Sequence, residues 1–331
     1  MNLPTLSLPR WFFSLSALML LISITENSHA SRTYSPSDVY AGVEYATRIV
    51  DEILISKKID NLQVPRSREK AVKPMHVYEL HITALSELYH YALKQNRRPP
   101  PLTTSSPINY TPTDVYYLTQ LLINNVEEIH RDTGGEIDFT LNDHTGKSPA
   151  HVYQKLFELY YKLKRLNGFS KVSPSEVYAQ IYRAKEDLQT SLLTLSKRLE
   201  ANEEDKKRLL VTAIYGMHPD GTVMPAIAPG KKPGDVLEKV LEVRSKLNTL
   251  RTANKLSEIK IPDAKKFGQV KPIDILLQTQ FIIAELNLLK MPMVIHSTTN
   301  SSKPATDKTP SDVYYEMEHI DYMLERLLRV L

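Results

Sequence analysis

One six-residue phrase recurs eight times in this chain, and its chemistry constrains the fold more than any other feature. It reads SPSDVY at 35–40, KPMHVY at 73–78, TPTDVY at 111–116 and SPAHVY at 148–153. It returns as SPSEVY at 173–178, KPGDVL at 232–237, KPIDIL at 271–276 and TPSDVY at 309–314. Each phrase is a helix start. A Ser or Thr oxygen at the N-cap accepts an orphan backbone N–H, and proline at the first helical position loses no bond. Asp or Glu two residues after the proline completes a capping box and faces the positive end of the helix dipole. Where Tyr34, Tyr110 and Val172 precede the cap, they are expected to staple onto Val39, Val115 and Val177 of their own helices. His76 and His151 break the acidic rule, and Lys73, Lys232 and Lys271 replace the cap hydroxyl, so these starts are expected to be weaker.

Behind each phrase, apolar positions recur at steps of four, three, four and three. The first set is Val39, Val43, Ala46, Val50 and Ile53, and the last is Val313, Met317, Ile320, Leu324 and Leu327. That period is an amphipathic helix seam. With only ten glycines in the chain, it predicts an all-α fold of bundled helices too short and interrupted for one long coiled coil.

The spacing carries a second regularity. The phrase prolines Pro36, Pro74, Pro112 and Pro149 lie about 38 residues apart, and so do Pro233, Pro272 and Pro310. Only the step from Pro174 to Pro233 is longer, by about 21 residues. SPSDVYA at 35–41 matches SPSEVYA at 173–179, and TQLLI at 119–123 matches TQFII at 279–283. These identities predict a tandem duplication of a four-helix module, at 31–168 and 169–331. The second copy carries an insertion near 202–231 with an extra helical piece near 205–215. The helix pairs resemble those of tetratricopeptide solenoids, but the period near 38 and the absent Trp-Leu-Gly-Tyr signature argue against that family. Most connections are long and rich in Pro, Lys, Ser and Thr, far beyond the usual helix–helix link. An extended link can run back along a helix, so neighbouring helices can be parallel as readily as antiparallel.

The N-terminus reads as an export address. Arg10 precedes an apolar run at 11–24, and Ser28-His29-Ala30 supplies a small-residue cleavage site, predicting a signal peptide at 1–30. No other segment reads as a bilayer span, so no stable membrane insertion is expected after cleavage. A large exported chain without cysteine reads as bacterial, periplasmic or secreted. The net charge of +4 leaves no concentrated basic arm and gives no reason to expect a nucleic-acid partner.

Motifs for catalysis are missing. There is no HExxH, Gly-rich phosphate loop, GxSxG or CxxC. His76, His81 and His90 share one helix at spacings that do not stack on one face, so no metal and no cofactor is expected. The acid pairs Asp51-Glu52, Glu127-Glu128 and Glu203-Glu204 read as solvated helix exteriors. Six tyrosines, Tyr40, Tyr78, Tyr116, Tyr153, Tyr178 and Tyr314, follow the first seam valine. There a ring either covers the seam or joins an aromatic ladder that receives a partner or a sugar-like ligand. These features suggest a non-enzymatic interaction or structural component of the bacterial cell envelope, which binds an envelope protein or assembles with itself. The alternative is a periplasmic module that binds a small ligand between the duplicated halves.

Overall fold

Every helix that the phrase marks begins at the phrase's own proline. The computed structural model describes residues 33–330 apart from 61–63, 65–70, 103–106, 108, 219–220, 225 and 296. The expected signal peptide at 1–30 lies outside the described residues. Within them the chain is all-α. Four helices come first: α1 (Pro36–Ser56), α2 (Pro74–Lys94), α3 (Pro112–Asp132) and α4 (Pro149–Leu166). They are followed by α5 (Pro174–Arg198), α6 (Glu204–Ile214), α7 (Pro233–Ala253), α8 (Pro272–Lys290) and α9 (Pro310–Val330).

The starts are held by the expected chemistry, with one correction. Ser35, Thr111 and Thr309 each donate their backbone N–H to the Asp three residues on, at 2.8 Å. The lysine phrases keep this half of the box, from Lys232 to Asp235 at 2.7 Å and from Lys271 to Asp274 at 2.9 Å. His76 and His151 do not break the rule. Their Nδ1 atoms accept from Lys73 N at 2.9 Å and from Ser148 N at 3.1 Å. A deprotonated ring nitrogen is an acceptor and replaces the carboxylate oxygen. Several helices end in a left-handed residue with a six-to-one bond, such as Ile59 N to Leu54 O and Phe169 N to Lys164 O.

In the first group of helices, α1 and α2 each pack on both α3 and α4. In the second, α5 and α7 each pack on both α8 and α9. Sequence neighbours such as α1 and α2 therefore stand across a bundle rather than side by side. All four helices of a group point the same way. Pro36, Pro74, Pro112 and Pro149 surround one small apolar dimple with the first seam valines, and Pro174, Pro233, Pro272 and Pro310 surround another. A helix of 21 residues rises about 30 Å, so each link between helices of a group must run back over that length.

Parallel dipoles repel side by side, and two features oppose this. First-turn carboxylates, among them Asp38, Asp114, Asp235 and Asp312, sit at the positive ends. The two groups also run in opposite directions. Lys73, just before α2, bonds Ser257 beyond the end of α7, while Glu87 near the end of α2 shares Lys164 with Glu176 in the first turn of α5. The positive end of one group thus lies beside the negative end of the other.

The groups meet where α2 packs on α8. Sequence reading assigned α8 one buried seam, but the helix is buried all round, including Gln278, Gln280, Glu285, Asn287 and Lys290. It is also long and apolar enough to cross a membrane by length and composition, contrary to expectation, though 83% of that window is buried inside the protein. The cause is its position, with its own group on one side and α2 on the other.

Candidate functional site

The six tyrosines do not form one ladder. Tyr153 and Tyr78 are buried, and the Tyr153 ring lies 5.1 Å from Phe281 of α8, inside the contact between groups. The others are half-buried, and a residue preceding a neighbouring helix covers each. Tyr34 stacks on Tyr116 at 3.6 Å. The ammonium groups of Lys147, Lys308 and Lys231 lie 4.2, 4.6 and 3.9 Å from the ring centroids of Tyr40, Tyr178 and Tyr314. Tyr110 likewise meets Tyr78 at 5.3 Å. The stapling expected of Tyr34 and Tyr110 therefore operates between helices, because parallel packing sets each pre-cap residue beside the next helix's first turn.

Histidines on α2 diverge as well. His76 lies against Glu285, with Nε2 3.0 Å from Oε1. His81 is fully buried. Its Nδ1 donates to the Val77 carbonyl at 2.8 Å, leaving Nε2 to accept from Thr119 Oγ1 at 2.9 Å. Burial holds its pKa down at about 4, so the ring is neutral near pH 7. Among the described residues no cluster of three or more metal-ligating side chains occurs. The acid pairs are more engaged than solvated exteriors would be: Asp51 pairs with Lys162 at 2.7 Å, Glu52 with His130 at 2.9 Å and Glu128 with Arg97 at 2.9 Å.

Between the groups lies a buried polar network that the seam pattern did not reveal. Glu79 receives Arg183 Nη2 at 2.8 Å and Asn287 Nδ2 at 2.8 Å. Arg183 continues to Gln180, Gln180 to Gln280, and Gln280 accepts from Thr83. A second cluster joins Glu285 to His76 and to Arg251 at 2.7 Å. Burial pushes Glu79 up to about 7, although Arg183 and Lys290 pull it down. Burial also raises Glu285, but His76 and Arg251 outweigh it and its pKa is lowered. Such networks leave no reactive group free; they join two helix groups through satisfied polar contacts.

Beside this network a cleft of about 490 Å³ opens between the groups. One wall holds Glu87, His90 and Lys94 of α2 with Lys164 and Asn167 at the end of α4. The other holds Ser175 and Glu176 of α5 and Ser302 and Lys303 of the following loop. Lys164 bridges Glu87 at 3.3 Å and Glu176 at 2.9 Å. Sequence reading named none of these residues. They come from four separate segments, and no local motif links them.

A different surface is built by the insertion. After α6 the chain turns through an isolated antiparallel bridge between Met217 and Val223. Its base is pinned to the second group: Tyr322 donates to Met217 O at 2.8 Å, Gln189 to Ile214 O at 2.8 Å, and His319 Nε2 reaches Ala213 O at 3.1 Å. Its tip exposes Tyr215 at 70%, Val223 at 68% and Ile227 at 44%. No family model, no curated protein and no solved structure matches the chain.

Proposed function

We propose that this chain is an exported, non-enzymatic scaffold of the bacterial envelope, made by duplicating a parallel four-helix module and binding a protein partner through its insertion. The observation that carries this reading is the pinned turn after α6, which holds Tyr215, Val223 and Ile227 outward on a fixed base. Large apolar side chains displayed together on an anchored element favour a protein contact. The matched prolines and the TQLLI and TQFII segments support duplication, and the charged, apolar and small-residue stretches at 1–30 support export. On this reading the tyrosines after the seam valines serve the bundle ends rather than a partner.

The test replaces 216–229 by a short Gly/Ser link. Helicity and melting should stay nearly unchanged, since surface loops tolerate length changes at small entropic cost. Capture of an envelope protein by the intact chain should be lost. A shortened protein that retains every partner removes the insertion from the proposal. A second reading, binding of a small ligand between the two halves, is favoured by the cleft beside Lys164.

A further inference from the structure

We propose that the cleft between the two helix groups binds a small carboxylate that carries a neighbouring O–H or N–H donor, with Lys94 and Lys303 receiving the carboxylate and Asn167 the donor. The inference rests on the ligand-binding reading and names its ligand class.

Charge selects the anion. Lys94, Lys164 and Lys303 line the cleft against the carboxylates of Glu87 and Glu176. Lys164 already bridges both of those carboxylates, so its charge and theirs are internally matched. Lys94 donates to the Asn167 carbonyl at 2.9 Å and retains further N–H groups toward the opening. Lys303 faces Glu186 at 3.4 Å across exposed surface, a contact of the kind that contributes little. His90 lines the same wall, and its ring nitrogens have no hydrogen-bond partner among the described residues. What remains available to a ligand is therefore positive charge and N–H groups.

Asn167 selects the donor. Its Nδ2 donates to Glu87 O at 2.9 Å and to Glu87 Oε2 at 3.0 Å. These two acceptors fix the amide orientation and turn Oδ1 the other way. That oxygen is buried and has no partner among the described residues. A buried acceptor left without a donor is costly, so a ligand O–H or N–H that reaches it gains what the free protein lacks. Behind it the hydroxyl of Tyr160 is likewise buried without a partner, with its ring centroid 5.7 Å from Lys164 Nζ. The cleft is large enough for a ligand of sugar-acid or amino-acid size, and it closes only where both groups are present. A bound molecule would bridge them.

The experiment titrates the full chain, with its insertion intact, against D-glucuronate and L-glutamate, two carboxylates whose donors are hydroxyls in one and an amine in the other. Glucose and acetate serve as probes that each lack one feature. At least one of the two acids should bind about tenfold or more tightly than either control, and its affinity should fall as salt rises. The Lys94→Ala/Lys303→Ala variant, altered at two surface positions, should lose about tenfold in affinity with an unchanged melting temperature. Preference for glucuronate or for glutamate would assign the donor to a sugar acid or an amino acid. Equal binding of glucose, failure of both acids to bind, or full affinity in the double variant would overturn the proposal. An uncharged molecule found bound by native mass spectrometry would overturn the ligand class while leaving the ligand-binding reading in place.

Discussion

Lys147, the residue before the α4 cap, donates its backbone N–H to Ser37 Oγ in the first turn of α1 at 3.1 Å. The same bond recurs from Lys308 to Ser175 at 3.0 Å, from Lys231 to Ser311 at 3.1 Å and, more weakly, from Tyr34 to Thr113 at 3.4 Å. In each case the acceptor is the hydroxyl next to the phrase proline. That position contributes nothing to its own cap. It clasps the neighbouring helix, and this is possible only because the helices of a group start at the same end. A hydroxyl there is thus a tertiary signal written inside a local motif.

Removing that clasp has a definite size. Ser37→Ala and Ser175→Ala should each cost about 1 kcal/mol through the lost bond, comparable to removing the Ser35 cap. Leu159→Ala and Leu324→Ala, at fully buried seam positions, should cost about 2 to 5 kcal/mol through lost burial and a cavity. Urea melts of the four variants rank these effects. Equal losses for clasp and seam would contradict the assignment.

Gly42 should resist the substitution that ordinarily stabilises a helix. Alanine in a helix interior is favoured over glycine by about 1 kcal/mol. Here a Cβ would stand 2.7 Å from Thr119 Cγ2 and 3.3 Å from Ile123 Cδ1. Thr119 is held by bonds to the Val115 carbonyl and to His81. Gly42→Ala should therefore destabilise by about 1 to 3 kcal/mol, and Thr119→Ser, which removes the clashing methyl, should recover part of the loss. A melting temperature raised by Gly42→Ala would show that α1 and α3 lie further apart than described.

The Glu79–Arg183 pair should be expensive to break and cheap to replace. Arg183→Ala leaves a buried carboxylate without its counter-charge and should cost about 3 to 5 kcal/mol, whereas the double change Glu79→Leu/Arg183→Met should cost far less. A double-mutant cycle read by denaturant unfolding measures the coupling. Additive single losses would mean that the pair does not join the two groups.

The dependence of stability on pH has two arms of opposite sign. Unfolded, His81 titrates near 6.5, but folded it stays neutral down to about 4. Its contribution is complete above about 6.5 and is lost as pH falls toward 4, by up to about 3 kcal/mol. Glu79 rises from 4.5 to about 7 on folding, so its contribution is complete below about 4.5 and is lost as pH rises through 7. Urea melts from pH 4 to 8 should show His81→Leu abolishing the acid loss while the decline toward neutral pH persists. An acid loss unchanged in that variant would place its source elsewhere.

The local chemistry of the chain determined where its helices begin, because a cap needs only a few consecutive residues. Pro36 and Pro310 mark helix starts to the residue, and the seam from Val39 to Ile53 is buried throughout. Even the histidine starts obey the rule once Nδ1 of His76 is counted as an acceptor. Tertiary structure alone decided which helices became neighbours. A seam specifies a face to bury and says nothing of what covers it, so Phe281 could not be foreseen between His76 and Tyr153, with ring centroids 4.4 and 5.1 Å away. The cleft and the Glu79 network were hidden for the same reason. Asn167, Glu87 and Lys303 are far apart in sequence and share no period, and they meet only because two groups of parallel helices lie in opposite directions, where their dipoles offset each other.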